Sequence, residues 1–264
     1  MSGGRTDDGT DEDDTHEERG STMNSAGTAG RPWGTGLVVA VDGPSGSGKS
    51  TISRRVAGEL GLGYLDTGAM YRAAAWWCRH EGIDLDDAPA VARATAAMPL
   101  DIVTDPAAPT VRVAGTEVEP EIRSAAISAI VSKVATNLDV RANMKERQRA
   151  IMEAASRAAG MVAEGRDITT VVAPDADVRV LLVASEDARL ARRATEMHGT
   201  ADAAALAATR DLVVRRDADD ATVSQFFEAA DGVTTVDSSD LSFDQTYEAV
   251  LDVVRRAAER SDHE

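Results

Sequence analysis

The segment from residue 38 to residue 56, VVAVDGPSGSGKSTISRRV, limits the possible folds more than any other part of the chain. Apolar residues run into a glycine-rich turn, and a helical pattern follows from Lys49. The turn fits the spacing G-x4-G-K-[S/T], in which backbone N–H groups and the start of a helix surround phosphate oxygens. The sequence therefore predicts a nucleoside triphosphate site between a buried strand and a helix.

Each residue type in this turn has a chemical reason to be there. Lys49 can bridge the β and γ phosphates of ATP, and the Ser50 hydroxyl can ligate Mg²⁺. Asp42, which precedes the turn, either orients a magnesium-bound water or caps the loop, and the sequence does not choose between these roles. The predicted ATP-binding residues are Gly43, Pro44, Ser45, Gly46, Ser47, Gly48, Lys49, Ser50 and Thr51.

The rest of the chain predicts an α/β fold of three layers. The apolar runs 37–42 and 178–185 are typical of buried parallel strands, and helical patterns separate them. Segments 100–105 and 110–119 alternate like half-buried strands and predict a small β insert. Because ligands of such sheets bind beyond the carboxyl ends of the strands, we expect Asp42, Asp66 and Arg166 to face one cleft.

Residues 1–35 predict a disordered acidic tail, since they lack apolar periodicity and are rich in Gly, Ser, Thr and Asp. It is interpreted as a solubilising extension or a mis-assigned start upstream of Met23, with a regulatory tail as the alternative.

Charge and cysteine content narrow the partners and the compartment. A net charge of −17 argues against a nucleic acid or an anionic membrane as the main partner. No apolar run reaches the roughly 20 residues that span a bilayer. Cys78 is the sole cysteine, so an internal disulfide is impossible, and a reduced cytoplasmic setting fits best. We expect a cytoplasmic monomer that acts on small molecules.

Two further segments pair arginine with turn or cap residues. In LDTGAMYR, Asp66 and Thr67 stand where a helix cap belongs, whereas Arg72 lies one turn further and can face a phosphate. In EGRDITT, Arg166 and Asp167 follow a strand and form either a surface pair or part of a second ligand site.

A third segment, RRDADD, ends a predicted helix at residues 215–220. It is either a solvated helix face or a mobile lid that carries Arg215 or Arg216 over the transferring phosphoryl group. A GTP switch would usually carry N/T-K-x-D, which does not occur in this sequence. The arginines therefore favour a second phosphorylated substrate over a switch.

Together these segments resemble bacterial cytidylate kinase, a family of the nucleoside monophosphate kinase group. The resemblance extends from about Leu37 to the final helix and includes the β insert. The motifs that carry it are VDGPSGSGKST, LDTGAMYR, EIR at 121–123, VSKVA, EGRDITTVVAPDA and RRDADD. It implies transfer of the γ-phosphoryl of ATP to CMP, and to dCMP, with Mg²⁺. It also implies one kinase domain at 36–264, with an NMP-binding insert at about 68–160 and a helical lid at about 199–224.

The resemblance also implies roles for individual residues. Lys49, Arg166 and Arg216 would be catalytic, and Ser132, Arg141 and Asp167 would read the cytosine ring. One departure is Val223, where the family often has an arginine; Arg215 is a possible substitute for that contact. The implied CMP-binding residues are Arg72, Ser132, Arg141, Arg166, Asp167, Arg216 and Asp220.

Two other functions stay open at this point. One is a P-loop kinase for another small acceptor, such as UMP or a non-nucleotide metabolite. The other is an NTP-dependent switch or assembly ATPase, which would hydrolyse nucleotide slowly and would not respond to CMP.

Overall fold

The computed structural model of the chain describes residues 36–261. The predicted acidic tail at residues 1–35 lies outside these residues. In the described part, strands and helices alternate as the sequence predicts, and the bounds of the predicted first strand and first helix are confirmed. The strands are β1 Leu37–Asp42, β2 Gly63–Asp66, β3 Leu100–Val103, β4 Thr110–Val113, β5 Thr116–Glu117, β6 Gly160–Gly165, β7 Val178–Val183 and β8 Thr234–Asp237.

The described residues also form α-helices and one π-helical turn. A short π-helical turn, Ile168–Val172, follows β6. The α-helices are α1 Lys49–Leu60, α2 Thr67–His80, α3 Ala88–Ala97, α4 Glu119–Ile122, α5 Ala125–Ser128, α6 Val131–Ala135, α7 Leu138–Ser156, α8 Glu186–His198, α9 Ala203–Ala221 and α10 Phe243–Ser261.

Within residues 36–261, five strands form one parallel sheet in the order β2-β6-β1-β7-β8. The central strand β1 pairs with β6 so that Leu37 lies opposite Gly160 and Asp42 lies opposite Gly165. Because parallel strands need crossover connections, helices cover both faces, which confirms the predicted α/β class.

Alternation along β1 divides the apolar core between the two faces of the sheet. Val38 and Ala40 pack with residues of α2, α3 and α7 on one face. Val39 and Val41 pack with residues of α1 and α10 on the other. Since β1 is buried on both faces, it reads as a continuous apolar run in the sequence.

The predicted β insert is a small antiparallel sheet of β3, β4 and β5, which packs near α2 and α4. Two local predictions differ from the structure. The apolar spacing of residues 124–137 predicts one helical stretch, but these residues form the short helices α5 and α6. The sequence also predicts a turn from Asp66 to Gly68, but strand β2 passes directly into α2, where the Asp66 side chain caps the helix by accepting from the Ala69 N–H at 2.8 Å.

Helices α8 and α9 pack against each other beyond the sheet. Ser185 caps the start of α8 and Asp202 caps the start of α9. None of the helices within residues 36–261 is long and apolar enough to cross a membrane.

Gly160 begins β6 with a φ of +122°, and a Cβ there would lie 2.1 Å from the Leu37 carbonyl oxygen. We expect Gly160→Ala to lower the free energy of unfolding by about 3 kcal/mol, since backbone strain adds to separation of the central strands. Gly199→Ala is the matched control, because its φ is +73° but no atom lies within 4 Å of the added Cβ. Gly199→Ala should lower the free energy of unfolding, measured by urea unfolding of both variants, by about 1 kcal/mol. Equal losses in the two variants would contradict the steric argument.

Candidate active site

A cleft of about 1300 Å³ opens at the carboxyl ends of the parallel strands, between the glycine-rich turn, the insert and helices α8 and α9. It brings together most of the predicted site residues, although they are far apart in the sequence. Those that line it are Ser45, Gly46, Ser47, Gly48, Lys49, Ser50, Thr51, Arg72, Arg141, Arg166, Asp167, Arg216 and Asp220. The predicted residues Gly43, Pro44 and Ser132 do not line it.

The phosphate loop, residues 43–50, is held in a shape that requires glycine. Gly46 has a φ of +77°, and a Cβ there would lie 2.5 Å from the Arg189 carbonyl oxygen. Gly48 also has positive φ and directly precedes α1. The positive end of the α1 dipole and its unpaired N–H groups therefore face the cleft, which suits an anion.

Lys49 begins α1 and is half-buried beside the loop. Its Nζ donates to the Pro44 carbonyl oxygen at 3.3 Å. Burial, together with the nearby positive charge of Arg166, lowers the pKa of Lys49 to about 8. A negatively charged ligand would reverse that shift, since it favours the ammonium form.

Ser50 donates its hydroxyl hydrogen to a Glu164 carboxylate oxygen at 2.6 Å. Glu164 is the penultimate residue of β6 and is 2% exposed, and it also accepts from the Tyr64 hydroxyl at 3.3 Å. Burial and the neighbouring Asp66 raise the pKa of Glu164 to about 6. The segment EGRDITT did not by itself predict a role for Glu164; its position directly before Gly165, near the end of a strand, is the signal that it faces the cleft.

Asp42 does not line the cleft. Its carboxylate accepts from the Ile168 N–H at 2.9 Å, from the Thr169 N–H at 2.7 Å and from the Thr169 hydroxyl at 2.6 Å. Burial nevertheless raises the pKa of Asp42 to about 6. The geometry therefore supports neither of the two roles left open by the sequence: Asp42 holds the π-helical turn that follows β6, not the glycine-rich turn. The expectation that Asp42 faces the cleft is wrong.

Arg166 is held by several groups at the edge of the cleft. Its Nη1 donates to the Gly43 carbonyl oxygen at 2.8 Å, and its Nε donates to Asp220 at 3.0 Å. Its Nη2 pairs with Asp217 at 2.9 Å, and its guanidinium lies 4.5 Å from the centre of the Phe226 ring. Arg166 is therefore fixed against the phosphate loop by groups from three parts of the chain.

Arg72 and Arg123 converge on the carboxylate of Asp66. Arg72 Nη2 lies 2.8 Å from Asp66 Oδ2, and Arg123 Nη2 lies 3.6 Å from the same oxygen. Asp66 thus caps α2, as the sequence predicts, and also orients Arg72. The buried Nε of Arg72 has no hydrogen-bond partner among the described residues, so it has an N–H available for a ligand.

The predicted base-reading residues Arg141 and Asp167 form a direct ion pair. Arg141 also donates to the Ser224 hydroxyl at 2.8 Å and to the Ala135 carbonyl at 3.1 Å. Burial raises the pKa of Asp167, and the Arg141 charge opposes that rise. Ser224, which lines the cleft, had no role in the sequence analysis.

Arg216 projects from α9 into the cleft. Burial lowers its pKa to about 10, and the neighbouring cations Arg166 and Arg72 act in the same direction. Its Nε lies 3.6 Å from Asp220 but has no hydrogen-bond partner among the described residues. Arg215 is exposed and does not line the cleft. The geometry therefore gives no support to Arg215 as a substitute for an arginine at Val223.

The charge of the cleft differs in sign from that of the whole chain. Its lining includes Lys49 and eight arginines from the described residues, against six carboxylates. Four of these arginines, at positions 54, 123, 192 and 193, were not assigned as site residues from the sequence. A cation-rich cleft in a chain of net charge −17 indicates an anionic ligand.

Ser132 lies in α6, half-buried, where its carbonyl accepts from the Thr136 N–H at 3.0 Å and from the Thr136 hydroxyl at 2.7 Å. Its role in base reading stays a prediction.

The lowered pKa of Lys49 can be tested by chemical labelling. We expect an amine-selective acylating reagent to label Lys49 of the ligand-free protein with a pH midpoint of about 8, because burial and Arg166 favour the neutral amine. Peptide mass spectrometry would follow each site. ATP should protect Lys49 but not the exposed Lys145, which serves as the control. Labelling that rises only near the usual lysine range, or that ATP does not alter, would contradict this description of the loop.

The chain is similar over most of its length to known cytidylate kinases. The family model described as cytidylate kinase matches residues 39–256. A cytidylate kinase of Cutibacterium acnes is 50% identical over 219 residues, which cover 83% of this chain and 96% of that protein. A cytidylate kinase of Streptomyces avermitilis is 44% identical over 225 residues, covering 84% and 95%. One of Corynebacterium glutamicum is 42% identical over 227 residues, covering 86% and 97%.

These matches span the phosphate loop, the insert and helices α8 and α9, and the family model alone covers more than half of the chain. The match therefore concerns the whole described domain rather than the glycine-rich turn. The chain belongs to the cytidylate kinase family.

Proposed function

We propose that this protein transfers the γ-phosphoryl group of ATP to CMP, giving ADP and CDP, and that it also accepts dCMP. The observation that carries the proposal is the single cleft in which a phosphate loop faces a second group of arginines and the Arg141–Asp167 pair. The donor nucleotide would bind the phosphate loop, and the acceptor would bind the second group.

Arg72, Arg166 and Arg216 are proposed to hold the CMP phosphate. Arg72 and Arg216 each carry a buried Nε–H without a hydrogen-bond partner among the described residues. Buried N–H groups of this kind are rare unless a ligand or water accepts from them. Asp66 pairs with Arg72 and Asp220 pairs with Arg216, and phosphate oxygens of CMP would replace these carboxylates as partners of the arginines.

Arg141 and Asp167 are proposed to read the cytosine ring. Cytosine presents an amino donor at N4 beside the acceptors N3 and O2. A carboxylate accepts from N4, and a guanidinium donates to the acceptors. Uracil has a carbonyl at position 4, so Asp167 would face an acceptor and reject it. We keep Ser132 as a further proposed contact to the base, on the family resemblance alone.

The donor set beside the phosphate loop fits Mg²⁺. The Ser50 hydroxyl and the Glu164 carboxylate supply two oxygen groups that lie 2.6 Å apart. Oxygen ligands of this kind are the ones that Mg²⁺ prefers, and it usually keeps several waters. When bound with ATP, Mg²⁺ would neutralise charge on the β and γ phosphates. Ser50 would ligate it, and Glu164 would orient its waters.

The proposed reaction needs no strong general base, because the second pKa of a phosphate monoester is about 6 and the acceptor oxygen is already ionised. The barrier would fall through alignment of the two phosphates and neutralisation of their charge. Lys49, Arg166 and Arg216 are the catalytic residues of this proposal. The lid, residues 199–224, and the insert, residues 68–160, would close to exclude water, since an open site would hydrolyse ATP.

We also propose that the enzyme works as a cytoplasmic monomer without a nucleic-acid partner. The supporting observations are the net charge of −17 and the single cysteine.

The proposed function can be tested by coupled ADP release with a panel of nucleoside monophosphates. We expect rapid turnover with CMP and dCMP, little with UMP, and none without an acceptor. Lys49→Ala should lower CMP turnover by about 100-fold or more, because one donor to the transferring phosphoryl is lost. Lys145→Ala, at an exposed position, should leave it unchanged. Fast turnover with UMP alone would indicate another kinase, and slow hydrolysis that CMP does not stimulate would indicate a switch or an ATPase.

Asp167→Asn should weaken the discrimination between CMP and UMP. The Asn amide can donate to the uracil carbonyl of UMP, whereas the charged hydrogen bond to the cytosine amino group of CMP is lost. Loss of a charged hydrogen bond is worth about 1.5–3 kcal/mol, so the ratio of the kcat/KM values for CMP and UMP should fall about 10- to 100-fold. Asp139→Asn makes the same charge change at an exposed position of α7 and is the control. An unchanged ratio in Asp167→Asn would remove this residue as the base reader.

A further inference from the structure

Asp217 is a buried carboxylate of α9, 4% exposed, that no role proposed so far explains. Its Oδ1 accepts from the Ser45 N–H at 3.0 Å and pairs with Arg166 Nη2 at 2.9 Å. Its Oδ2 pairs with Arg189 Nη1 at 2.5 Å. A carboxylate is costly to bury unless charged donors compensate for lost water, and here two guanidinium groups and one N–H do so.

On one side, Asp217 fastens α8 and α9 to the phosphate loop. Arg189, which belongs to α8, donates from the same Nη1 to the Ser45 carbonyl oxygen at 2.9 Å. Asp217 and Arg189 together therefore hold both the N–H and the C=O of Ser45. The backbone of Arg189 also lies so close to Gly46 that a Cβ there would clash.

On the other side, Asp217 fixes the orientation of Arg166. The guanidinium has five N–H donors, and its contacts to Gly43, Asp217 and Asp220 use one on each nitrogen. One N–H on each terminal nitrogen is left for a ligand. Rotation of the guanidinium would break the Asp217 contact and the Gly43 contact together.

Asp217 and Asp220 differ in their access to the cleft. Asp220 lines it, whereas Asp217 does not. A ligand in the cleft can therefore meet Asp220 and displace it from Arg166, while Asp217 stays behind the guanidinium. Asp220 is therefore placed to contact a substrate, whereas Asp217 can act on a substrate only through Arg166.

We infer that Asp217 is a positioning residue for phosphoryl transfer, which fixes Arg166 relative to the phosphate loop and couples both to helix α9. The inference rests on the proposed function. Lys49, Arg72 and Arg216 would still hold the phosphates of bound substrates without Asp217. Removing the Asp217 carboxylate should therefore lower kcat and leave KM nearly unchanged, because a misplaced Arg166 weakens contacts that matter most in the transition state.

The first experiment compares Asp217→Asn with Asp211→Asn, which removes the same charge from an exposed position of the same helix. We expect Asp217→Asn to lower kcat about 30-fold and to change the KM values for CMP and ATP by less than about 3-fold. Asp211→Asn should match the wild type. An unchanged kcat, or a loss confined to KM, in folded Asp217→Asn would overturn the inference.

The second experiment asks whether Asp217 acts through Arg166. In an Arg166→Gln background, Asp217→Asn should lower kcat by less than about 3-fold further, because its effect is already lost. A purely structural contribution would instead multiply with that of Arg166→Gln, and that result would overturn the inference.

If thermal unfolding shows that Asp217→Asn does not fold, Arg189→Gln takes its place. This second variant removes one partner of the Asp217 carboxylate and keeps both Asp217 and Arg166. It should also lower kcat with little change in KM, and an unchanged kcat would refute the inference. Failure of the proposed function gives a different result, because the wild-type protein would then not phosphorylate CMP at all.

Discussion

The parallel pairing of β1 with β6 is the interaction on which the site depends. It places Asp42 opposite Gly165, so the residues that follow each strand, Gly43 and Arg166, come together at one edge of the sheet. Arg166 then donates to the Gly43 carbonyl at 2.8 Å. Because both strands are buried on both faces, a shift of one residue would move each side chain into the core on the opposite face, where the packing partners differ. Hydrophobic burial thus fixes the distance between the phosphate loop and the arginines of the second subsite.

Charge compensation shapes the cleft within this frame. Each of Arg72, Arg141 and Arg166 pairs with at least one carboxylate. Carboxylates and phosphates are both anionic oxygen acceptors, so a phosphate can replace a carboxylate without leaving the guanidinium unpaired. These ion pairs offset the positive charge of an arginine-rich cleft, and they suit the transfer chemistry proposed for this chain.

The end of α9 and the segment after it contact both proposed subsites. Asp217 and Asp220 pair with Arg166, and Ser224 accepts from Arg141. Asp217 also accepts from the Ser45 N–H of the phosphate loop. Any movement of α9 must therefore alter contacts at the loop, at Arg166 and at the Arg141–Asp167 pair.

The sequence by itself determined the elements that depend on local patterns. Glycine spacing predicted the phosphate loop, and apolar runs predicted the buried strands, because backbone conformation and burial periodicity are local properties. Only the tertiary structure decided which groups meet across the chain. Ser50 and Glu164 are 114 positions apart, and Ser45 and Asp217 are 172 apart, so no local pattern could reveal either contact. The role of Asp42 was open for the same reason: its partners belong to a turn more than 120 residues away, which the fold brings beside β1.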